Sequence, residues 1–119
     1  MEQSKMAIQN LSENVLLVTL PKEPQRSNEL ENINEIAGNR GDCDVVIDFS
    51  RVEILTSTSL CNLMILNKLL SGLGNKLILC NVPLPIKCIF TVTALDSFFK
   101  FVDDKFAALQ YMQNVNSYK

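Results

Sequence analysis

Four consecutive hydroxyl residues, Thr56, Ser57, Thr58 and Ser59, stand where the apolar run "VEIL" gives way to the apolar helical pattern "LCNLMIL". Two kinds of chemistry suit them. Ser and Thr oxygens accept hydrogen bonds from the first-turn amides that a helix leaves unpaired. A hydroxyl at a helix tip is also a place for phosphate, because free amides and the positive end of the helix dipole favour an anion there. One cap suffices, so four hydroxyls leave at least two without a structural duty. On residue types alone, a cap with spare polar neighbours accounts for the cluster; phosphorylation, adding about -1.5 to -2 charges, is the competing reading.

Little else in the chain offers chemistry. Histidine is absent, which removes Ser-His and Cys-His nucleophile pairs, the commonest general base and the commonest metal ligand. Asp42, Asp44, Asp48, Asp103 and Asp104 do not follow a calcium-loop pattern. "SGLGNK" lies after a helical segment with no strand before it, so it reads as a helix C-cap and turn, not a phosphate loop. No metal, no cofactor and no catalysis are expected. The four cysteines, Cys43, Cys61, Cys80 and Cys88, lack CxxC spacing and sit in apolar runs, where free cysteine is expected as a small buried hydrophobe. A net charge of -2 with scattered Lys and Arg offers no basic stripe to nucleic acid or anionic lipid. "MEQSKMAIQN" has no apolar signal core, and no uncharged stretch reaches membrane-spanning length, so no membrane association and a cytoplasmic location are expected.

The hydroxyls must be held by something, and the patterning describes it. A chain of 119 residues, 47% of them hydrophobic, suits one domain over residues 1–119 with a single core. "KMAIQNL" and "NVLLVTL" flank Ser12-Glu13-Asn14 as an N-terminal β-hairpin. "SNELENINEIAG" predicts a helix, with Ser27 or Asn28 as cap and Gly38 as stop. "CDVVIDF" and "KLILCNV" read as buried strands on either side of a helix from about Ser59 to Ser71. "PLPIKCIFTVTAL" is ambiguous between strand and helix, "FKFVDD" is a short strand, and "KFAALQYMQNV" is a final helix with Phe106, Leu109 and Met112 inward. The expected architecture is α/β: a mixed, mostly parallel sheet of four to five strands with the N-terminal hairpin and about four helices.

The helix after the hydroxyls has two apolar sides. Leu63, Leu66, Leu70 and Leu73 share one face and should meet the sheet. Cys61, Met64 and Ile65 surround Lys68 on the other. Either a neighbouring helix or loop covers this second face, which is the expectation for a small domain, or it is an exposed patch for a partner.

"VVIDFSRVEILTSTSLCNLMILNKLLSGLGNKLILCNV" resembles the STAS domain, shared by sulphate transporters and bacterial anti-sigma factor antagonists. In that family a strand ending in D-L/F-S precedes a short loop and then D-S-S/T-G-L opening a helix. Here Asp48, Phe49 and Ser50 match the strand end, and Thr56 to Leu60 fall on the second motif, with Thr56 replacing its Asp and Ser59 its Gly. "FTVTALDSFFKFVDDKFAAL" also resembles the family's end, which makes Pro83 to Ala94 a helix. The resemblance implies a regulatory, protein-binding module of a bacterial partner-switching pathway. It would be an anti-sigma factor antagonist phosphorylated at the start of the second helix. The acceptor would be Thr58, with Ser57 as the alternative. The partner would be an anti-sigma factor that is itself a serine-threonine kinase; the surface offered to it joins the hydroxyls Thr56, Ser57, Thr58 and Ser59 to the patch read from the helix pattern, Cys61, Met64, Ile65 and Lys68. The alternative is an unphosphorylated STAS scaffold that assembles with itself, as a homo-oligomer, or with other STAS proteins.

Overall fold

Parallel strands need a crossover of a dozen or more residues, and this chain supplies one between each pair of its later strands. The computed structural model describes residues 7–12, 14–20, 33, 35, 36 and 43–116. Strands β1 (Ala7–Ser12) and β2 (Val15–Thr19) form the antiparallel hairpin. Then follow β3 (Asp44–Asp48), helix α1 (Ser57–Gly72), β4 (Leu77–Cys80), helix α2 (Leu84–Val92), a 3-10 turn (Asp96–Phe98), β5 (Lys100–Val102) and helix α3 (Lys105–Asn116). The sheet runs β1-β2-β3-β4-β5 in sequence order, antiparallel in the hairpin and parallel thereafter. This is the expected α/β architecture. The helix expected over Ser27 to Gly38 lies largely outside the described residues; Ile33, Glu35 and Ile36 are helical.

The period of two along each strand divides the core. Val18, Val45, Ile47, Leu77 and Leu79 face one way and meet Leu63, Leu66 and Leu70 of α1 with Ile86 and Phe90 of α2. Leu17, Val46, Ile78 and Cys80 face the other way and meet Ala108 and Met112 of α3. Phe90 is the hub of the first layer. Its ring meets Phe49, Phe99 and Phe101 edge-on at centroid distances of 6.4, 5.4 and 5.3 Å. Two inward assignments fail. Leu73 is 42% exposed because the helix ends before it, and Phe106 is 69% exposed because α3 turns Ala108 and Met112 to the sheet.

Helix ends follow known stops. Gly74 takes the left-handed conformation after α1, with φ of +79°, and Asn75 N–H donates back to the Leu70 carbonyl at 2.8 Å. So "SGLGNK" is the predicted cap and turn. After α2 the same position is filled by Ala94, φ 61°, while Leu95 N–H donates to the Phe90 carbonyl at 2.8 Å. An L side chain in that conformation costs about 1–2 kcal/mol, whereas glycine's extra chain entropy costs about 0.5–1. Ala94→Gly is therefore expected to raise the unfolding free energy by about 0.5–1 kcal/mol in urea titration.

Candidate functional site

Parallel register brings the carboxyl ends of β3, β4 and β5 into one row, because Asp48 pairs with Cys80 and Cys80 with Val102. Asp48 ties this row together. Its Oδ1 accepts from Ser50 N–H at 2.8 Å and from Asn81 Nδ2 at 3.2 Å. Asn81 sits in the left-handed region at φ 54°, which Asn tolerates better than most residues. The chain then leaves the sheet through buried Phe49, Val52 and Leu55 and reaches α1 at Thr56.

The helix begins two residues earlier than the sequence pattern indicates, and this sorts the four hydroxyls. Thr56 is the cap: its Oγ1 accepts from Ser59 N–H at 3.1 Å and donates to Ser59 Oγ at 3.1 Å. Ser59 is buried on the inward stripe that continues through Leu63, Leu66 and Leu70. Ser57 and Thr58, in the first turn, are exposed, and their side chains have no hydrogen bond among the described residues. No acidic residue stands in that turn. The first-turn amides and the positive helix end are thus unopposed by any carboxylate of the turn itself.

Thr58, Cys61, Ile65 and Lys68 recur at helical spacing and form the outward stripe of α1. Cys61 and Lys68 are exposed and Ile65 is 54% exposed. Among the described residues no neighbour covers this face, against the expectation for a small domain. Met64 is half-buried and packs against the core beside it. Across from the stripe lies Phe98 of the 3-10 turn, 55% exposed, and Asn67 Nδ2 donates to its carbonyl at 2.8 Å. Between helix and turn runs a groove of about 620 Å³. Sequence reasoning missed Asn67, Asn81 and Phe98. Asn81, a polar residue closing a buried strand, carried a turn signal; Phe98 and Asn67 join across 31 residues and carried none.

The cysteines divide. Cys43 and Cys80 are buried as expected, but Cys61 and Cys88 are exposed. Burial, with smaller contributions from Asp48 and Asp104, pushes the Cys80 thiol up to about 12, so it is unreactive at neutral pH. The folded state then keeps a proton that the unfolded chain has lost, and stability must fall as pH rises from about 9 towards 12. Denaturant titration across that window should show a steeper decline for the wild type than for Cys80→Ala. Among the described residues no group of three His, Cys, Asp or Glu could hold a metal ion, and no helix is long and apolar enough to cross a membrane.

A β-hairpin continued by a parallel sheet, with α1 and α2 on one face and α3 on the other, is the STAS fold. No protein-family model and no curated protein sequence matches the chain. Solved structures do. A serine-to-glutamate variant of RsbS from Moorella thermoacetica matches with a TM-score of 0.82 at 17% identity, over 96% of this chain and 99% of that one. An anti-sigma-factor antagonist (STAS) domain protein from Planctomyces limnophilus matches at 0.74 and 22%, over 92% and 98%. The anti-sigma factor antagonist SpoIIAA in its unphosphorylated form matches at 0.76 and 12%, over 92% and 96%. Its phosphorylated form from Bacillus matches at 0.70 and 13%, over 89% and 98%. The chain has the fold of the anti-sigma factor antagonists.

Proposed function

We propose that this chain is a cytoplasmic STAS-type regulatory module acting as an anti-sigma factor antagonist, by binding and without catalysis of its own. The observation that carries the reading is the sorting of the hydroxyls. Thr56 and Ser59 bond to each other and build the helix start, whereas Ser57 and Thr58 are exposed at its tip. Thr58 is the phosphate acceptor, since it stands at the motif's acceptor position and heads the exposed stripe. The likeness to SpoIIAA, solved in both unphosphorylated and phosphorylated forms, supports a switch of this kind on this fold.

The partner is an anti-sigma factor with serine-threonine kinase activity, docking on Thr58, Cys61, Ile65 and Lys68. Met64 backs this surface from its half-buried place, and Thr56 and Ser59 shape its tip. A dianion on Thr58 adds repulsion and a desolvation cost to that docking, so phosphorylation ends capture. Isotope-labelled phosphate transfer from the cognate kinase to the wild-type chain and to Thr58→Ala tests the proposal. Label lost in the variant supports it. Label that stays, or a kinase that neither binds nor labels the chain, favours instead a scaffold that assembles with itself or with other STAS chains.

A further inference from the structure

The groove between α1 and the 3-10 turn is built for one kind of guest. Its two walls are large exposed apolar side chains, Ile65 and Phe98. The Asn67 bond to the Phe98 carbonyl fixes the turn to the helix, so the walls are set before any partner arrives. Gly72 leaves the far end open, with no atom within 4 Å of where a Cβ would stand. Among the residues lining the groove, Lys68 alone is charged, and it has no ion pair among the described residues. A cation without a counter-ion, set in an apolar groove on a chain of net charge -2, asks for a carboxylate from outside.

The geometry points to this groove as the seat of an acidic amphipathic segment of the partner: an apolar side chain lodges between Ile65 and Phe98, and a neighbouring Asp or Glu meets Lys68. A second copy of this chain fits worse. Groove packed on groove would give neither Lys68 a counter-ion, because no carboxylate lines the groove. The proposal deepens the partner-capture reading and rests on it for the identity of the partner. Lys68 lies ten residues along the helix from Thr58, about 15 Å at 1.5 Å per residue. That exceeds the screening length of about 8 Å at physiological salt. The groove therefore supplies affinity that phosphate at the helix tip does not directly oppose, and the switch acts at the tip alone.

The probe is a pair of synthetic helical peptides with one apolar face, identical except that the residues flanking the central apolar side chain are Glu in one and Lys in the other. Each is titrated into the isotopically labelled full chain and followed by NMR. The acidic peptide is expected to shift the Ile65 methyls, the Gly72 amide and the Phe98 ring, and to bind about 3–10-fold more tightly than the basic one. Lys68→Glu should invert that order, and Phe98→Ser, which removes a 55% exposed ring and keeps the carbonyl that Asn67 bonds, should weaken both peptides tenfold or more. Equal binding of the two peptides, shifts that map elsewhere, or a concentration-dependent dimer that occupies Ile65 and Phe98 would each overturn the proposal. The peptide titration should be the same for Phe106→Ala, an exposed site on the helix of the opposite sheet face, as for wild type. A failure of the phosphate switch then shows as unlabelled Thr58 with the groove intact, and a failure of the groove shows as lost charge preference with Thr58 still labelled.

Discussion

Replacing Phe90 by alanine is expected to lower the unfolding free energy by about 3–5 kcal/mol, the range for truncating a buried aromatic side chain. The upper end applies here. Phe90 is fully buried and three rings meet it edge-on, each such pair adding about 0.5–1.5 kcal/mol beyond area burial. Phe49 comes from the end of β3, Phe99 and Phe101 from the approach to β5 and β5 itself, so the cavity would loosen α2 and both sheet ends at once. A domain of this kind holds about 5–15 kcal/mol in all, so the variant should melt far below the wild type. Phe90→Leu, keeping much of the volume, should lose less, and Phe106→Ala, at an exposed site, should stay within about 0.5 kcal/mol. Urea titrations measure all three. A cost below about 1 kcal/mol for Phe90→Ala would mean that α2 does not dock on the sheet as described.

The three variants also mark where sequence patterning succeeds and where it stops. Runs such as "CDVVIDF" and "KLILCNV" were legible because a strand covered on both faces needs apolar residues in both phases of its period of two. The inward stripe of α1 was legible because three leucines repeat at helical spacing over a well-formed helix. Leu73 broke the pattern because a wheel assumes that the helix continues, and here the helix ends at Gly72 with Leu73 as its cap. Phe106 broke it for another reason. On α3 both sides carry apolar residues, and the sheet takes the side with small Ala108, which lets the helix approach closely. Cys61 and Cys88 were misread because residence in an apolar run says nothing about phase. The hydroxyl cluster held more than was taken from it: Ser59 is in phase with Leu63, Leu66 and Leu70 and had to point inward, while Thr58 is in phase with Cys61, Ile65 and Lys68. The groove was beyond reach, since only the tertiary fold sets Phe98 against α1.

That phase difference sharpens the expected behaviour of the hydroxyls. Thr56→Ala removes the cap and should cost about 0.5–2 kcal/mol of stability. Thr58→Ala removes an exposed hydroxyl with no described partner and should change stability by no more than about 0.5 kcal/mol. Its effect belongs to regulation instead. Phosphate incorporation by the cognate kinase should vanish, and capture of that kinase should persist under conditions that release it from the phosphorylated wild type. A phosphate at this tip carries about -1.5 to -2 charges, and like charges forced together at an interface cost several kcal/mol, so capture should weaken about tenfold or more. Thr58→Glu brings one negative charge and a single planar carboxylate, so it should weaken capture by less than phosphate does. Binding measured by calorimetry for the four forms should rank Thr58→Ala equal to unmodified wild type, then Thr58→Glu, then phosphorylated wild type. The helix tip makes the ranking demanding, because its free amides and dipole also stabilise an added anion within the chain itself. If that internal gain dominated, Glu and phosphate would raise the melting temperature and leave capture untouched, and Thr58 would be a site of stabilisation and not of switching. Labelling of Ser57 alone would move the acceptor by one residue, off the stripe that Thr58 shares with Ile65 and Lys68, and the docking surface would have to be redrawn around it.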